Sequence, residues 1–443
     1  MNVEAAGEQS AFTITANTRH YVLAVLTIVY TLAFVDRQIV NILAEPIKQE
    51  LHLADWQMGA LAGFAFAMLY TVLGLPIARY SERGNRSRVI AVALLVWSGF
   101  TALSGTASSF LGLLLARVGV GVGEAGCLPP AHSLISDITP RERRASALSI
   151  FSAGLPLGSL VGMALGGLVA HSYGWRAAFF IVGMPGVLLA FVVLLTIRDP
   201  RTHASTDHPR AAPDVPPIRE ALAQLRARRS FGWIAAGAAL LSFVGYAHQT
   251  FYASFFLRNH GEEIDRLAAM VGVPGRLSFL GICLGLIIGV AGTLGSTVGG
   301  RLSDRHAARR PGGYMTVPIW GAALAAPLLA LVFIVPSALI ALVLLTVPNF
   351  LKSMWYGPVF ASVQSLAPPR TRATAVAVFL FIVNVVGLGL GPLCGGALSD
   401  LLAQWLGPAD GLRVALIVLS LLLLAPAGCF VIARRTLAQD MVS

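Results

Sequence analysis

The sequence predicts an all-α integral membrane protein with twelve transmembrane helices in two pseudo-symmetric six-helix bundles. Three observations predict it. Apolar runs recur along all 443 residues, basic residues gather in alternate connecting loops, and one half of the chain repeats in the other.

Hydrophobic residues make up 56% of the chain and charged residues 12%, and mean hydropathy is +0.74. A soluble chain carries roughly twice that charge. Twelve runs long enough to span a bilayer lie near 21–45, 57–79, 89–108, 110–135, 144–171, 175–197, 232–257, 277–299, 314–335, 337–364, 373–403 and 411–433. No charged n-region precedes a short apolar stretch, so no cleaved signal peptide is expected. The four cysteines, Cys127, Cys283, Cys394 and Cys429, fall within apolar runs and lack metal-ligand spacing. They read as small core residues, with no metal or cofactor expected.

The net charge of +11 would suit nucleic acid by its size, but its placement argues otherwise. Of the 32 lysines and arginines, twenty lie in loops on one side of this topology and six on the other. Three more lie in the tails, and Arg37, Arg117 and Lys352 lie inside spans. The positive-inside rule then places both termini in the cytoplasm.

Ala78-Arg-Tyr-Ser-Glu-Arg83 returns as Gly300-Arg-Leu-Ser-Asp-Arg305, at an offset of 222. Further along the offset is 229. It pairs Pro129 with Pro358, Arg141 with Arg370, and Gly158, Gly162, Gly166 and Gly167 with Gly387, Gly391, Gly395 and Gly396. A constant offset across several residue types marks an internal duplication. Parallel repeats related by an axis along the membrane normal are a transporter plan. The expected organisation is a tail (1–19), a six-helix bundle (20–197), a linker (198–230), a second six-helix bundle (231–435) and a tail (436–443). In the linker Ile218, Leu222 and Leu225 share one helical face ahead of Arg226, Arg228 and Arg229, as in a helix lying on the cytoplasmic leaflet. Residues 261–273 read as a short outer amphipathic helix whose acids, Glu262, Glu263 and Asp265, suit loop packing.

An ionised side chain at the bilayer centre costs at least about 2.5–3.5 kcal/mol on insertion scales, so such residues face a bundle interior or a watery path. Arg117 and Glu124 are seven residues apart, two turns along nearly one face and about 10 Å along the axis. Asp36 and Arg37 are neighbours pointing about 100° apart. Depth arithmetic lets Arg37 reach Glu124 and sets Asp36 level with Arg117. The four either staple two spans by mutual neutralisation or serve movement across the membrane. Lys352 is the repeat counterpart of Gly123, and it either faces the opposite half or snorkels to an interface. His248, with Gln249, falls about where Asp36 and Arg37 lie in the first half, as a core histidine or a functional one. Phe64, Phe66, Tyr70, Tyr246, Phe251, Trp355 and Tyr356 are candidates to line an apolar cavity, or are ordinary core and lipid-facing aromatics. The loop charges Arg79, Glu82, Arg83 and Arg86 and their repeats Arg301, Asp304 and Arg305 set topology and can also latch the halves.

These features together resemble the major facilitator superfamily. Ser81-Glu-Arg-Gly-Asn-Arg-Ser-Arg88 is similar to its acidic-basic loop, and Arg117-x3-Gly121-x-Gly123 to its second motif. The span near 144–171 keeps the glycine ladder of the antiporter motif but has Met163 where that motif has proline, so antiport is not read from it. Phe34-Val-Asp-Arg-Gln38, with Gly123-Glu124-Ala-x3-Pro129-x-Ala-x-Ser133-Leu-Ile-x-Asp137 and Pro140-x2-Arg143, resembles the Spinster branch. Its members export lysolipids, and its bacterial ones look proton-coupled. The resemblance implies a proton-coupled secondary transporter of an amphiphilic anionic lipid, working by alternating access in a bacterial inner membrane. Proton coupling would fall to Asp36, Glu124, Arg37 and Arg117, and substrate binding to Arg37, Lys352, Glu124, His248 and Tyr356. Gating would fall to Arg79, Glu82, Arg83, Arg301, Asp304 and Arg305. The expected partners are the substrate, protons and the bilayer, with a monomeric chain and no nucleic acid. The alternative is a transporter of organic anions such as sugar or aromatic acids. No Walker loop, zinc helix or nucleophile elbow supports a membrane-embedded enzyme, and no catalytic residue is expected.

Overall fold

The structure, a computed structural model, describes residues 15–202, 218–368 and 370–441; within these, some side chains, including those of Glu82 and Arg83, lie outside the description. The described elements are helices throughout, and ten are long and apolar enough to cross a membrane. They are α1 (Ala16–Ile42), α2 (Asp55–Gly74), α3 (Arg86–Ser104), α4 (Phe110–Ile138) and α5 (Ser146–Thr196), then α6 (Arg229–Met270), α7 (Gly275–Ala307), α8 (Gly312–Val332), α9 (Ala338–Ser365) and α10 (Thr374–Asp440).

Polar caps mark where apolar runs become helices. The side chains of Thr15, Asn85 and Ser109 accept the backbone N–H groups of Thr18 (3.2 Å), Arg88 (3.0 Å) and Gly112 (3.2 Å). Each satisfies a first-turn donor that has no partner inside its helix. For α9 the cap comes from another helix: the Glu263 carboxylate accepts from Ser337 Oγ (2.8 Å) and from the Ala338 N–H (2.7 Å).

The two longest of the ten far exceed one crossing. At 1.5 Å per residue, helices of 51 and 67 residues would run to about 75 and 100 Å, against a hydrocarbon core of about 30 Å. Each is broken by a glycine in nearly the same conformation, Gly174 (φ 80°, ψ 165°) and Gly407 (φ 80°, ψ 166°). A side chain is not tolerated in that region of backbone space. Both breaks fall between predicted spans.

Two expectations about the connections change. Helix α6 does not stop near 257 but continues to Met270 through a bend at His260 (φ −135°, ψ 20°), burying Ile264 and Ala268. The linker helix, Ile218–Ala227, does not simply lie on a leaflet. Leu225 is buried, Gln224 accepts from Thr371 Oγ1 (3.2 Å), and the following Arg228 donates to the Asp440 carbonyl (2.7 Å). Partners at the ends of the second half draw it onto the protein.

Glycine also sets the spacing at mid-depth. A Cβ at Gly158 would collide with the Thr31 carbonyl, so α5 lies flush against α1 beside Asp36 and Arg37. Where the two halves of the chain meet near Asp55, α2 and α10 touch backbone to backbone. A Cβ at Gly59 would strike the Pro392 carbonyl, and one at Gly396 the Asp55 carbonyl. Three π-helical segments interrupt the spans: Ala60–Phe64 in α2, Ile287–Ala291 in α7 and Asn384–Leu390 in α10.

Candidate functional site

Arg37 from α1 meets Glu124 from α4. Its Nε donates to Glu124 Oε1 at 2.8 Å, and Nη2 makes a second, shorter contact to the same oxygen. The guanidinium lies over three rings, Phe34 (5.0 Å), Phe66 (4.6 Å) and Tyr70 (4.9 Å). Arg117 approaches Phe66 as well, at 5.9 Å, so one ring serves two cations. A cleft of about 40 Å³ opens on the pair, lined by Tyr30, Phe34, Tyr70, Cys127 and Leu128 among others. That is room for a few water molecules at most, and far too little for a lipid.

Asp36 points away from this pair, as the 100° step between neighbours requires. It is 2% exposed, and its polar neighbours are Arg117, Thr101 and Trp97. Asp36 Oδ1, Arg117 Nε and Nη1 and Glu124 Oε2 are buried without a hydrogen-bond partner among the described residues. Buried polar atoms are rarely left so, and here they gather around two acids and one arginine.

The other expected site residues separate. Lys352 lies in α9, with Nζ 3.4 Å from Tyr252 Oη and no acid partner among the described residues. Its contact is with its own half of the chain, not with Arg37. Tyr356 stacks on Trp355 at 4.4 Å, is 45% exposed, and neighbours Tyr246 and Tyr30. His248 is not a cavity residue. It is fully buried, with Nδ1 2.8 Å from the Val244 carbonyl and Nε2 3.0 Å from both the Leu416 carbonyl and Ser420 Oγ. Its ring stacks on Phe333. Both nitrogens are occupied, which makes it a packing residue between α6 and α10.

The expected latch residues are described only in part. Arg79, Arg301, Asp304 and Arg305 are exposed and join no ion pair among the described residues, and the Glu82 and Arg83 side chains lie outside the description. The halves are tied at the opposite end, by residues the sequence reading passed over. Arg258 on α6 donates to Asp55 Oδ1 (2.7 Å) and Oδ2 (2.9 Å), and from Nε to Glu45 Oε2 (2.9 Å). Lys48 reaches Asp55 Oδ1 at 2.6 Å, and Ser399 Oγ reaches Oδ2 at 2.7 Å. Asp400 on α10 accepts the N–H groups of Asp55 (2.9 Å) and Trp56 (2.8 Å). An acid thus caps the N-terminus of α2 from the other half.

Arg86 was also missed as a structural centre. It is fully buried and forks onto Asp199, with Nη2 to Oδ1 at 2.6 Å and Nε to Oδ2 at 3.0 Å. Its Nη1 holds Asp137 (2.7 Å) and Ser133 (3.0 Å). Burial acts to raise the Asp199 carboxyl, and the Arg86 hydrogen bonds outweigh it and hold Asp199 below the usual carboxylate range. Ser133 and Asp137 of the long motif are therefore partners of the loop arginine.

Apolar helices throughout, buried charges at mid-depth and one tied end between the halves define a multi-pass membrane transporter. The chain belongs to the Major Facilitator Superfamily, whose profile matches residues 26–392. It is therefore not an enzyme. It is 34% identical over 420 residues to an MFS-type efflux pump of Mycolicibacterium smegmatis, covering 95% of this chain and 94% of the pump. A crystal structure of a bacterial homologue of the human lysosomal transporter Spinster, inward-facing and unoccupied, superposes with a TM-score of 0.85 at 31% identity. It covers 97% of this chain and all of that one. A hexuronate transporter of Bacillus subtilis is 21% identical over 253 residues, 57% of this chain and 60% of that protein. The expected Spinster resemblance holds along the chain.

Proposed function

We propose that the protein is a proton-coupled secondary transporter of an amphiphilic anion of the lysolipid kind. In this reading the breaks at Gly174 and Gly407 make twelve crossings, in two six-helix bundles that rock about a central site. The observation that carries it is the charge balance. Among the described residues Arg37 and Arg117 are accompanied by Asp36 and Glu124, while Lys352, in the other half of the chain, has no acid beside it. An anion completes such a site, and the aromatic surroundings of Tyr30, Tyr70, Tyr246 and Tyr356 suit a lipid tail.

The coupling follows from the Arg37–Glu124 pair. A carboxylate accepts from Arg37; a protonated carboxyl gains a donor and loses its charge. A proton on Glu124 thus frees Arg37 for the substrate, and Asp36 with Arg117 forms the second acid–arginine couple. By the charge rule the arginine-rich end and both termini are cytoplasmic, in a bacterial inner membrane. The tied Asp55 end then faces out, and the chain works as a monomer. When the inner end closes, Arg79, Glu82 and Arg83 would meet Arg301, Asp304 and Arg305.

The test is titration of the purified protein with anionic lysolipids, zwitterionic lysolipids and a hexuronate, at mildly acidic and mildly alkaline pH. The expected result is pH-dependent binding led by anionic lysolipids. Binding of hexuronate with no response to lysolipid would replace this reading with an organic-anion transporter.

A further inference from the structure

A second basic site lies at the arginine-rich end, far along the chain from the charges just described. A cleft of about 390 Å³ opens where the end of α7, the start of α8 and the end of α10 meet, lined by His306, Arg309, Arg310, Thr316 and Arg434. No acid lines it, and none of the three guanidinium groups joins an ion pair or hydrogen bond among the described residues. The carboxylate of Asp440, at the end of α10, accepts from the Ser230 N–H and hydroxyl. His306 gives Nδ1 to the Leu302 carbonyl at 2.7 Å, which leaves Nε2 for the cleft.

Backbone packing builds the cleft and holds its cations together. A Cβ at Gly312 would stand 2.7 Å from the Arg434 carbonyl, and one at Gly313 would strike the His306 carbonyl. Only glycines let the 311–315 turn seat between the two helix ends that carry the cations. The turn runs directly into the rest of α8 at Thr316, which lines the cleft. Three guanidinium groups around one concavity are donors that phosphate takes.

We infer that this cleft binds a phosphate group, and that the bilayer supplies it as the headgroup of an anionic phospholipid. The source follows from what adjoins the cleft. Thr316 lines it, and one turn on along the same face stands Trp320, 61% exposed, followed by Leu324, 48% exposed. A tryptophan at that height marks the membrane interface. An acyl chain can leave the cleft along this stripe while its phosphate stays among the arginines, and basic pockets between helices on the cytoplasmic side are suited to such headgroups. The inference does not depend on which substrate is carried.

The experiment uses the full chain, delipidated in neutral detergent, titrated with phosphatidylglycerol, phosphatidylcholine and inorganic phosphate. Each arginine near a lipid surface contributes about fivefold in affinity, so the variant Arg309→Gln/Arg310→Gln/Arg434→Gln should bind phosphatidylglycerol on the order of a hundredfold more weakly. Phosphatidylcholine should bind weakly and equally to both proteins. Trp320→Ala should weaken the lipid and leave inorganic phosphate unchanged. Undiminished phosphatidylglycerol binding by the triple variant overturns the site. Tight phosphate binding that phosphatidylglycerol fails to displace overturns the lipid as its source.

Discussion

Arg258 holds Asp55 by both carboxylate oxygens, and the two residues belong to opposite halves of the chain. The fork geometry makes this a strong, directional tie. Glu45, Lys48, Ser399 and Asp400 complete it, so breaking one member leaves several buried groups without partners.

Arg258→Gln should therefore open this end. Removing one partner of a buried ion pair costs about 3–5 kcal/mol, all of it charged to the closed state. That is at least about a hundredfold shift in the closed-to-open ratio. Spin labels at the exposed His52 and Gln404 would read it as longer distances. An unchanged distribution would mean that backbone packing alone closes this end.

Gly396→Val tests that packing without touching charge. The added side chain meets the Asp55 carbonyl only when the halves are together. Overpacking typically costs about 1–3 kcal/mol, so the same labels should separate and transport should fall. A variant that still closes and transports would show that α2 and α10 can yield.

Glu124→Gln and Asp36→Asn should each abolish proton-driven transport while leaving thermal stability near wild type. Arg37→Lys should also be damaging, because a lysine cannot reproduce a two-nitrogen grip set among three aromatic rings. Proton-driven uptake into liposomes measures all three, and normal coupling in both acid variants would remove those acids from the mechanism.

Lys352→Ala should weaken anionic lysolipids more than zwitterionic ones in a binding titration. Equal losses for both would show that the Tyr252 contact is its purpose and that it packs the bundle.

Asp199 gives a pH dependence outside the spans. Its folded-state carboxyl lies below the usual range, so its stabilising contribution is present above the unfolded value of about 3.9. It is lost as pH falls through the lower, folded value. Asp199→Asn should lower Tm at neutral pH and flatten the acid limb of a Tm–pH profile. A variant with an unchanged acid limb would show that Arg86 does not depend on that charge.

What the sequence made legible was depth and face. Counting residues along two helices was enough to anticipate that Arg37 could reach Glu124, and the glycine ladder announced the close approach of α5 to α1. Azimuth between helices was not legible. Tyr246 and His248 are two residues apart on α6, hence about 200° apart around it. Tyr246 neighbours Arg37, while His248 turns into the contact with α10. The repeat offset places a residue at a level, and only packing decides which way it points. The Asp55–Arg258 tie was hidden for a related reason, since 203 residues separate its members. Each looked like an ordinary charge at a helix end. Arg86 sat inside a loop read as a latch, and its carboxylate partners lie 51 and 113 residues away.

The π-helical segments give the contact between halves a degree of freedom. A π turn holds one residue more than an α turn, and that surplus can migrate along a helix by exchanging one hydrogen bond at a time. Each step re-aims whatever lies between its old and new positions by about 100°. The surplus in α2 begins just after Gly59, and that in α10 ends just before Gly391. They meet where a Cβ at Gly63 would strike the Leu388 carbonyl. Two helices from opposite halves therefore bear on each other through their most re-registerable turns, and the seam between the halves can swivel as well as part.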